Sequence, residues 1–133
     1  MERVFQSEEA EKQMGFAAAV RDDGLLWVSG MVSWDETLTP LHPGNMRGQM
    51  AEVYQRLQGF LTRCGSGLDA IIRETVFVTD IDSALANSDV RNALFDPENL
   101  PAATWVEIRR LVHPDLVIEV ECVARVATPA GNS

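Results

Sequence analysis

The chain is poor in the residues from which metal centres, disulfide frameworks and polyanion sites are built. Its two cysteines, Cys64 and Cys122, stand 58 positions apart with no C-x-x-C spacing. That pattern indicates neither a disulfide framework nor a zinc site, and both read as small buried apolar residues. Only two histidines are present, His42 and His113, each close to a proline in a loop-like stretch. No metal-ligating set converges, and neither metal nor cofactor is expected. Lysine and arginine number 11 against 20 acidic residues, for a formal charge of −9 and a pI near 4.6. Nucleic-acid binding rests on cations that neutralise phosphates, so nucleic acid is disfavoured as a partner. No run approaches the roughly 20 apolar residues of a membrane-spanning helix. The opening residues lack a basic region followed by an apolar one, so the expectation is a cytoplasmic protein without membrane contact.

What is present suits one globular domain over residues 1–133, with 46% hydrophobic and 23% charged residues and a frayed tail at 128–133. Residues 2–7 alternate weakly, as an edge strand does. Phe16–Val20 and Leu25–Gly30 flank Asp23-Gly24, a strong hairpin signal. From Asn45, the apolar residues Met46, Met50, Val53, Leu57, Phe60, Leu61 and Cys64 recur at three and four, which predicts a helix with one buried stripe ending at Gly65. Ile71–Thr79 reads as a strand. Asp80 to Ser83 suits a helix start, and a second helix is expected over 83–95, with Leu85, Val90, Leu94 and Phe95 partly inward. Asp96-Pro97 stops it. Two strands, 102–110 and 116–127, close the domain through His113-Pro114-Asp115.

The order β-β-α-β-α-β-β predicts an α+β fold, a single mixed sheet with two helices on one face. In the last strand Leu116, Ile118, Val120, Cys122, Ala124 and Val126 form one side, expected under the helices, and Val117, Glu119, Glu121, Val123 and Arg125 form the other. Alternation on the preceding strand separates Thr104, Val106 and Ile108 from Ala103, Trp105, Glu107 and Arg109, and the second set is expected to share the uncovered face with Val117 and Val123. Such a mixture of apolar and charged residues is the composition of a subunit interface or a pocket.

Five segments carry a resemblance that spans nearly the whole chain. Phe16-Ala17-Ala18-Ala19-Val20 resembles Y-S-Q-A-V, Leu26-Trp27-Val28-Ser29-Gly30 resembles L-x-x-S-G-Q, and Ile71 to Asp80 resembles I-V-K-T-T-V-F-V-x-D. Pro101-Ala102-Ala103-Thr104-Trp105-Val106-Glu107 resembles P-A-R-S-x-V-E, and Ile118-Glu119-Val120-Glu121 resembles I-E-I-E. These are signatures of the RidA (YjgF, endoribonuclease L-PSP) family. The resemblance implies a chorismate mutase-like fold and a homotrimer whose three sheets close around a barrel-like centre, with small-molecule clefts between subunits. It implies a cleft of Phe16, Ser29, Gly30, Ala103, Thr104, Trp105 and Glu119, with Glu119 placing the hydrolytic water of an imine deaminase.

This chain departs from the signature where the substrate carboxylate is clamped: the arginine becomes Ala103, the tyrosine becomes Phe16, and the position two after the arginine is Trp105. A planar guanidinium suits a carboxylate through two parallel bonds. Arg109 shares a strand side with Ala103, but six residues at about 3.3 Å put it roughly 20 Å away. Arg73 or Arg91 of a neighbouring subunit remains a candidate. Glu119 and Glu121 read either as an acid and base pair or as ion-pair partners of Arg109 and Arg125. Trp105 either fills the space of the arginine or walls a different ligand. The functions left open are hydrolysis of an enamine or imine other than a short 2-imino acid, binding of a metabolite without turnover, deamination of 2-iminobutanoate or 2-iminopropanoate, and the family's older label of endoribonuclease and translation inhibitor.

Overall fold

The computed structural model describes residues 1–126, so the expected tail at 128–133 lies outside the described residues. The chain runs β1 (Glu2–Val4), α1 (Glu8–Met14), β2 (Ala19–Asp22), β3 (Leu25–Val32), α2 (Met46–Arg63), one 3-10 turn (Leu68–Ala70), β4 (Ile71–Val78), α3 (Ile81–Ala86), α4 (Asp89–Asn92), β5 (Ala102–Glu107) and β6 (Ile118–Arg125). The six strands form one mixed sheet in the order β1-β2-β3-β6-β4-β5. Only the β4–β5 pair is parallel, with α3 and α4 in the connection that such a pair requires. This is the α+β architecture expected, with helices packed on the sheet.

The hairpin forms where Asp23-Gly24 predicts it, both residues having positive φ (52° and 77°), as a two-residue turn needs to match the strands' twist. In α2 every residue of the expected stripe is buried. The Asn45 side chain caps the helix by accepting from the Gly48 amide at 2.9 Å. One polar residue joins that buried face: Gln49 donates to the carbonyls of His42 (2.9 Å) and Asp115 (2.7 Å) and accepts from the Val117 amide (2.8 Å). Both its N–H bonds and one acceptor site of its carbonyl hold together the loops that lead into α2 and β6.

Three elements differ from the sequence expectation. A seven-residue helix, α1, follows the short edge strand. Its turns are too few to display a period, and its ends are secured by Glu11, which accepts from the Gln6 and Ser7 amides (2.9 and 3.2 Å), and by Gly15 at φ 88°. The helix expected over 83–95 is divided into α3 and α4, because Asn87 Nδ2 and Ser88 Oγ donate to the carbonyls of Ser83 and Leu85 (both 2.8 Å) and compete with helix propagation. Leu85 and Leu94 are consequently exposed, while Ala84, Arg91 and Phe95 turn inward. Finally, β5 and β6 end earlier than expected and do not pair with each other, since β4 lies between them.

The side assigned to β5 is corrected by its register. Glu74, Val76 and Val78 of β4 are fully buried under the helices, and they face Ala103, Trp105 and Glu107 across the parallel pair. Side chains in register share a face, so these three lie on the helix-covered side and not with Val123. Trp105 accordingly packs against the main core, and Glu107 Oε1 accepts from the Ile81 amide at the start of α3 (3.0 Å). The sequence alternation was read correctly within β5, but two alternating strands can be superposed in two ways. Ahead of β6 the expected sides are also exchanged: Val117 packs against the main core, its amide held by Gln49, and Leu116 joins Val32 and Leu111 in a second cluster, because the strand alternation begins only at Ile118. On the uncovered face the half-exposed aromatic residue beside Val123 is Trp27, in register with Val20 and Val123.

Candidate active site

Ser29-Gly30 sits on a β-bulge. Val28 is in register with Cys122 and Met31 with Val120, so three steps on β3 match two on β6. The extra residue lifts the backbone out of the ladder. Ser29 anchors the distortion: its amide donates to the Ala18 carbonyl at 2.9 Å and its hydroxyl to the Ala17 carbonyl at 2.6 Å. Gly30 is required by its neighbour. A Cβ there would lie 2.6 Å from the carboxyl carbon of Glu119, closer than side-chain packing tolerates.

Glu119 is in register with Val32 and Phe77 on the uncovered face. Burial raises its carboxyl above the ordinary range, and the neighbouring Glu121 carboxylate adds to the rise. Among the described residues neither glutamate forms an ion pair within the chain, so the alternative of pairing with Arg109 and Arg125 is not realised in one subunit.

Phe16, Ser29 and Gly30 line a small cavity of about 30 Å³, together with Glu11, Trp34 and Arg56. The Arg56 guanidinium donates to the Trp34 carbonyl. Neither α1 nor Arg56 was singled out in the sequence; the signal was a short acidic helix former run ending at Gly15. Ala103 and Trp105 instead line a separate depression of about 300 Å³ on the helix side, with Leu85, Arg91 and Leu100. Thr104 faces the other way, where its hydroxyl accepts from Arg73 Nη2 at 2.5 Å. Glu119 and Ala103 are two strands and three residues apart, about 14 Å along the sheet, and on opposite faces. One chain therefore presents the expected cleft as two separate halves.

The arginine candidates separate as clearly. Arg109 lies beyond the end of β5. Arg91 shares the depression with Ala103 in the same chain, whereas the sequence left Arg73 or Arg91 of a neighbouring subunit as undecided candidates. It is 8% exposed and bound to the fully buried Glu74, Nε at 3.1 Å and Nη2 at 2.7 Å from Oε1. Tyr54 donates to both oxygens of Glu74 (3.2 and 3.1 Å), and the Arg91 guanidinium lies 4.0 Å from the centre of the Phe95 ring. Among the described residues no group of metal-ligating side chains is assembled, and no helix is long and apolar enough to cross a membrane.

The endoribonuclease L-PSP family profile matches residues 7–126. A RutC family protein of Synechocystis is 29% identical over 128 residues, 95% of this chain and 98% of that protein. The 3-aminoacrylate deaminase RutC of Acinetobacter baylyi is 30% identical over 84% of this chain and 86% of its own. Among solved structures, a YjgF-family protein of Mycobacterium tuberculosis superposes with a TM-score of 0.78 at 26% identity, covering 94% of this chain and 98% of that one. With the bulged Ser29-Gly30, Glu119 beside it and the β4–β5 signature strands in place, the chain belongs to the endoribonuclease L-PSP (RidA/YjgF) family.

Proposed function

We propose that the protein is a homotrimer that hydrolyses an enamine or imine in clefts between its subunits, with Glu119 positioning and deprotonating the attacking water. The observation that carries this reading is the Glu119 carboxyl, half-buried beside the Gly30 bulge, raised by burial and unpaired by any cation among the described residues. A carboxylate with a raised pKa is a stronger base, suited to moving a proton near neutrality. An enamine first takes a proton on its β-carbon and gives one up from nitrogen to become the imine; water then adds to the C=N carbon, the resulting carbinolamine expels ammonia, and a carbonyl compound remains. A relative bearing the name 3-aminoacrylate deaminase supports a C–N hydrolysis of this class.

Two observations favour assembly. The expected cleft is split between opposite faces of one chain, and a neighbouring copy that sets the Phe16–Gly30 end against the Ala103–Trp105 depression would join the halves. The uncovered face carries a groove of about 430 Å³ bordered by Val20, Trp27, Arg73, Thr75, Glu121 and Val123, a composition suited to contact between subunits. Light scattering should give about three times the 14.7 kDa of the chain, and Val123→Asp should reduce it.

The decisive experiment is ammonia release. An enamine whose carboxylate is masked as an amide, 3-aminoacrylamide, should be turned over, and Glu119→Gln should lose on the order of a hundredfold or more. With 2-aminoacrylate and 2-iminobutanoate generated in situ by a dehydratase, release should stay near background, because Ala103 offers no guanidinium. Release that is unchanged in Glu119→Gln overturns the reading. RNA should not be cut: the charge of −9 per chain multiplies to −27 in a trimer, and repulsion of phosphate dominates.

A further inference from the structure

We infer that the depression beside Ala103 receives an uncharged hydrogen-bond acceptor of the ligand, such as an amide or ester carbonyl, and that Arg91 is the specificity-determining donor to it. The inference rests on the reading above, in which this depression is one half of the ligand cleft.

Position 103 is where the family signature places its carboxylate clamp, and among the described residues the only ionisable side chain lining the depression is Arg91. Its charge is already balanced. Glu74, in register with Ala103 on the adjacent strand, is fully buried and takes the Nε and Nη2 hydrogens of Arg91 on one oxygen. The pair has no net charge, and a carboxylate brought to Ala103 would enter next to Glu74 with its own negative charge uncompensated. Losing water there without gaining a net cation is unfavourable.

Donor capacity nevertheless remains. A guanidinium carries five N–H bonds. Two go to Glu74 and one, from Nη1, to Asn92 Oδ1 at 3.0 Å, which leaves at most two for a ligand, one of them within reach of the Tyr54 hydroxyl. A neutral carbonyl needs only such a donor. Leu85, Leu100, Pro101 and the Trp105 ring make most of the remaining wall apolar, and of its two polar neighbours, Ser88 and Asn92, the Ser88 hydroxyl is already given to the Leu85 carbonyl; such a surface suits an uncharged substituent better than a hydrated anion.

The test compares two probes of equal size and opposite charge character, 2-oxobutanamide and 2-oxobutanoate, titrated calorimetrically into the full-length protein. The amide should bind about tenfold or more tightly than the carboxylate. Glu74→Gln, checked for folding by circular dichroism, should narrow or reverse that ratio, since Arg91 regains a net charge. Arg91→Lys keeps the ion pair with Glu74 but loses the spare N–H bonds, and should remove the preference for the amide. Wild-type protein that binds 2-oxobutanoate as well as the amide overturns the inference even if Glu74→Gln does not fold. So does an unchanged ratio in Arg91→Lys. Binding of neither probe overturns it too, while the hydrolytic reading is judged separately by ammonia release in Glu119→Gln.

Discussion

Glu119 lies over the backbone of Gly30 at a distance that leaves no room for a methyl group between them: a Cβ on residue 30 would sit 2.6 Å from both the carboxyl carbon and Oε1 of the glutamate. The proposed base and the bulge beside it are thus mutually positioned, and the glycine acts by absence.

Gly30→Ala is expected to separate activity from stability. The clashing atoms belong to the free end of a flexible side chain, so the glutamate can swing away at a cost of about 1 kcal/mol or less in a urea titration. Ammonia release should fall at least tenfold, because a displaced carboxylate no longer holds water in line. A variant with full activity shows that Glu119 does not work from the position seen here.

The pH dependence of Glu119 has a definite sign. Its folded-state pKa is raised, first by burial and then by Glu121. The protonated form therefore favours the folded chain at low pH, and that contribution is lost as pH rises through the folded pKa. Wild-type stability should decline relative to Glu119→Gln across a window beginning in the ordinary carboxylate range and ending above it, as read from paired thermal melts. Activity should rise over the same window, since the ionised form is the base. Replacing Glu121 by Gln should shift both curves to lower pH.

Breaking the buried ion pair should be costly. Arg91→Ala leaves Glu74 in the core with only Tyr54 as donor, and loss of one partner of a buried pair typically costs about 3–5 kcal/mol. Chemical denaturation reads this directly. Replacing both residues with apolar side chains should recover much of the loss, which distinguishes an orphaned charge from lost packing.

The thiols should be silent in the native protein. Cys122 is pushed up to about 12 by burial and by the Glu74 and Glu121 carboxylates, and burial raises Cys64 as well. Neither should react with a chromogenic disulfide reagent at pH 8 until the chain is unfolded, when two thiols per chain should titrate. Rapid native reaction of either would contradict the packing of α2 on the sheet.

Local physics made much of this protein legible in its sequence. The 3.6-residue period of Met46 to Cys64 could only be one buried helical stripe, Asp23-Gly24 could only serve a tight hairpin, and alternation from Ile118 to Val126 separated the core side of β6 from the side bearing Glu119, although not for Leu116 and Val117 ahead of the strand. That Ala103 stands where the resembled signature has an arginine was likewise visible at once. Alternation, however, divides a strand into two sides without saying which neighbour each side meets. Only the parallel β4–β5 register set Ala103 and Trp105 under the helices and Thr104 against Arg73. Arg91 and Glu74 are 17 positions apart in the chain and carry no motif. Their union beside Ala103 depends on the break between α3 and α4 turning Arg91 inward, a contact decided by packing across elements and therefore absent from any local pattern.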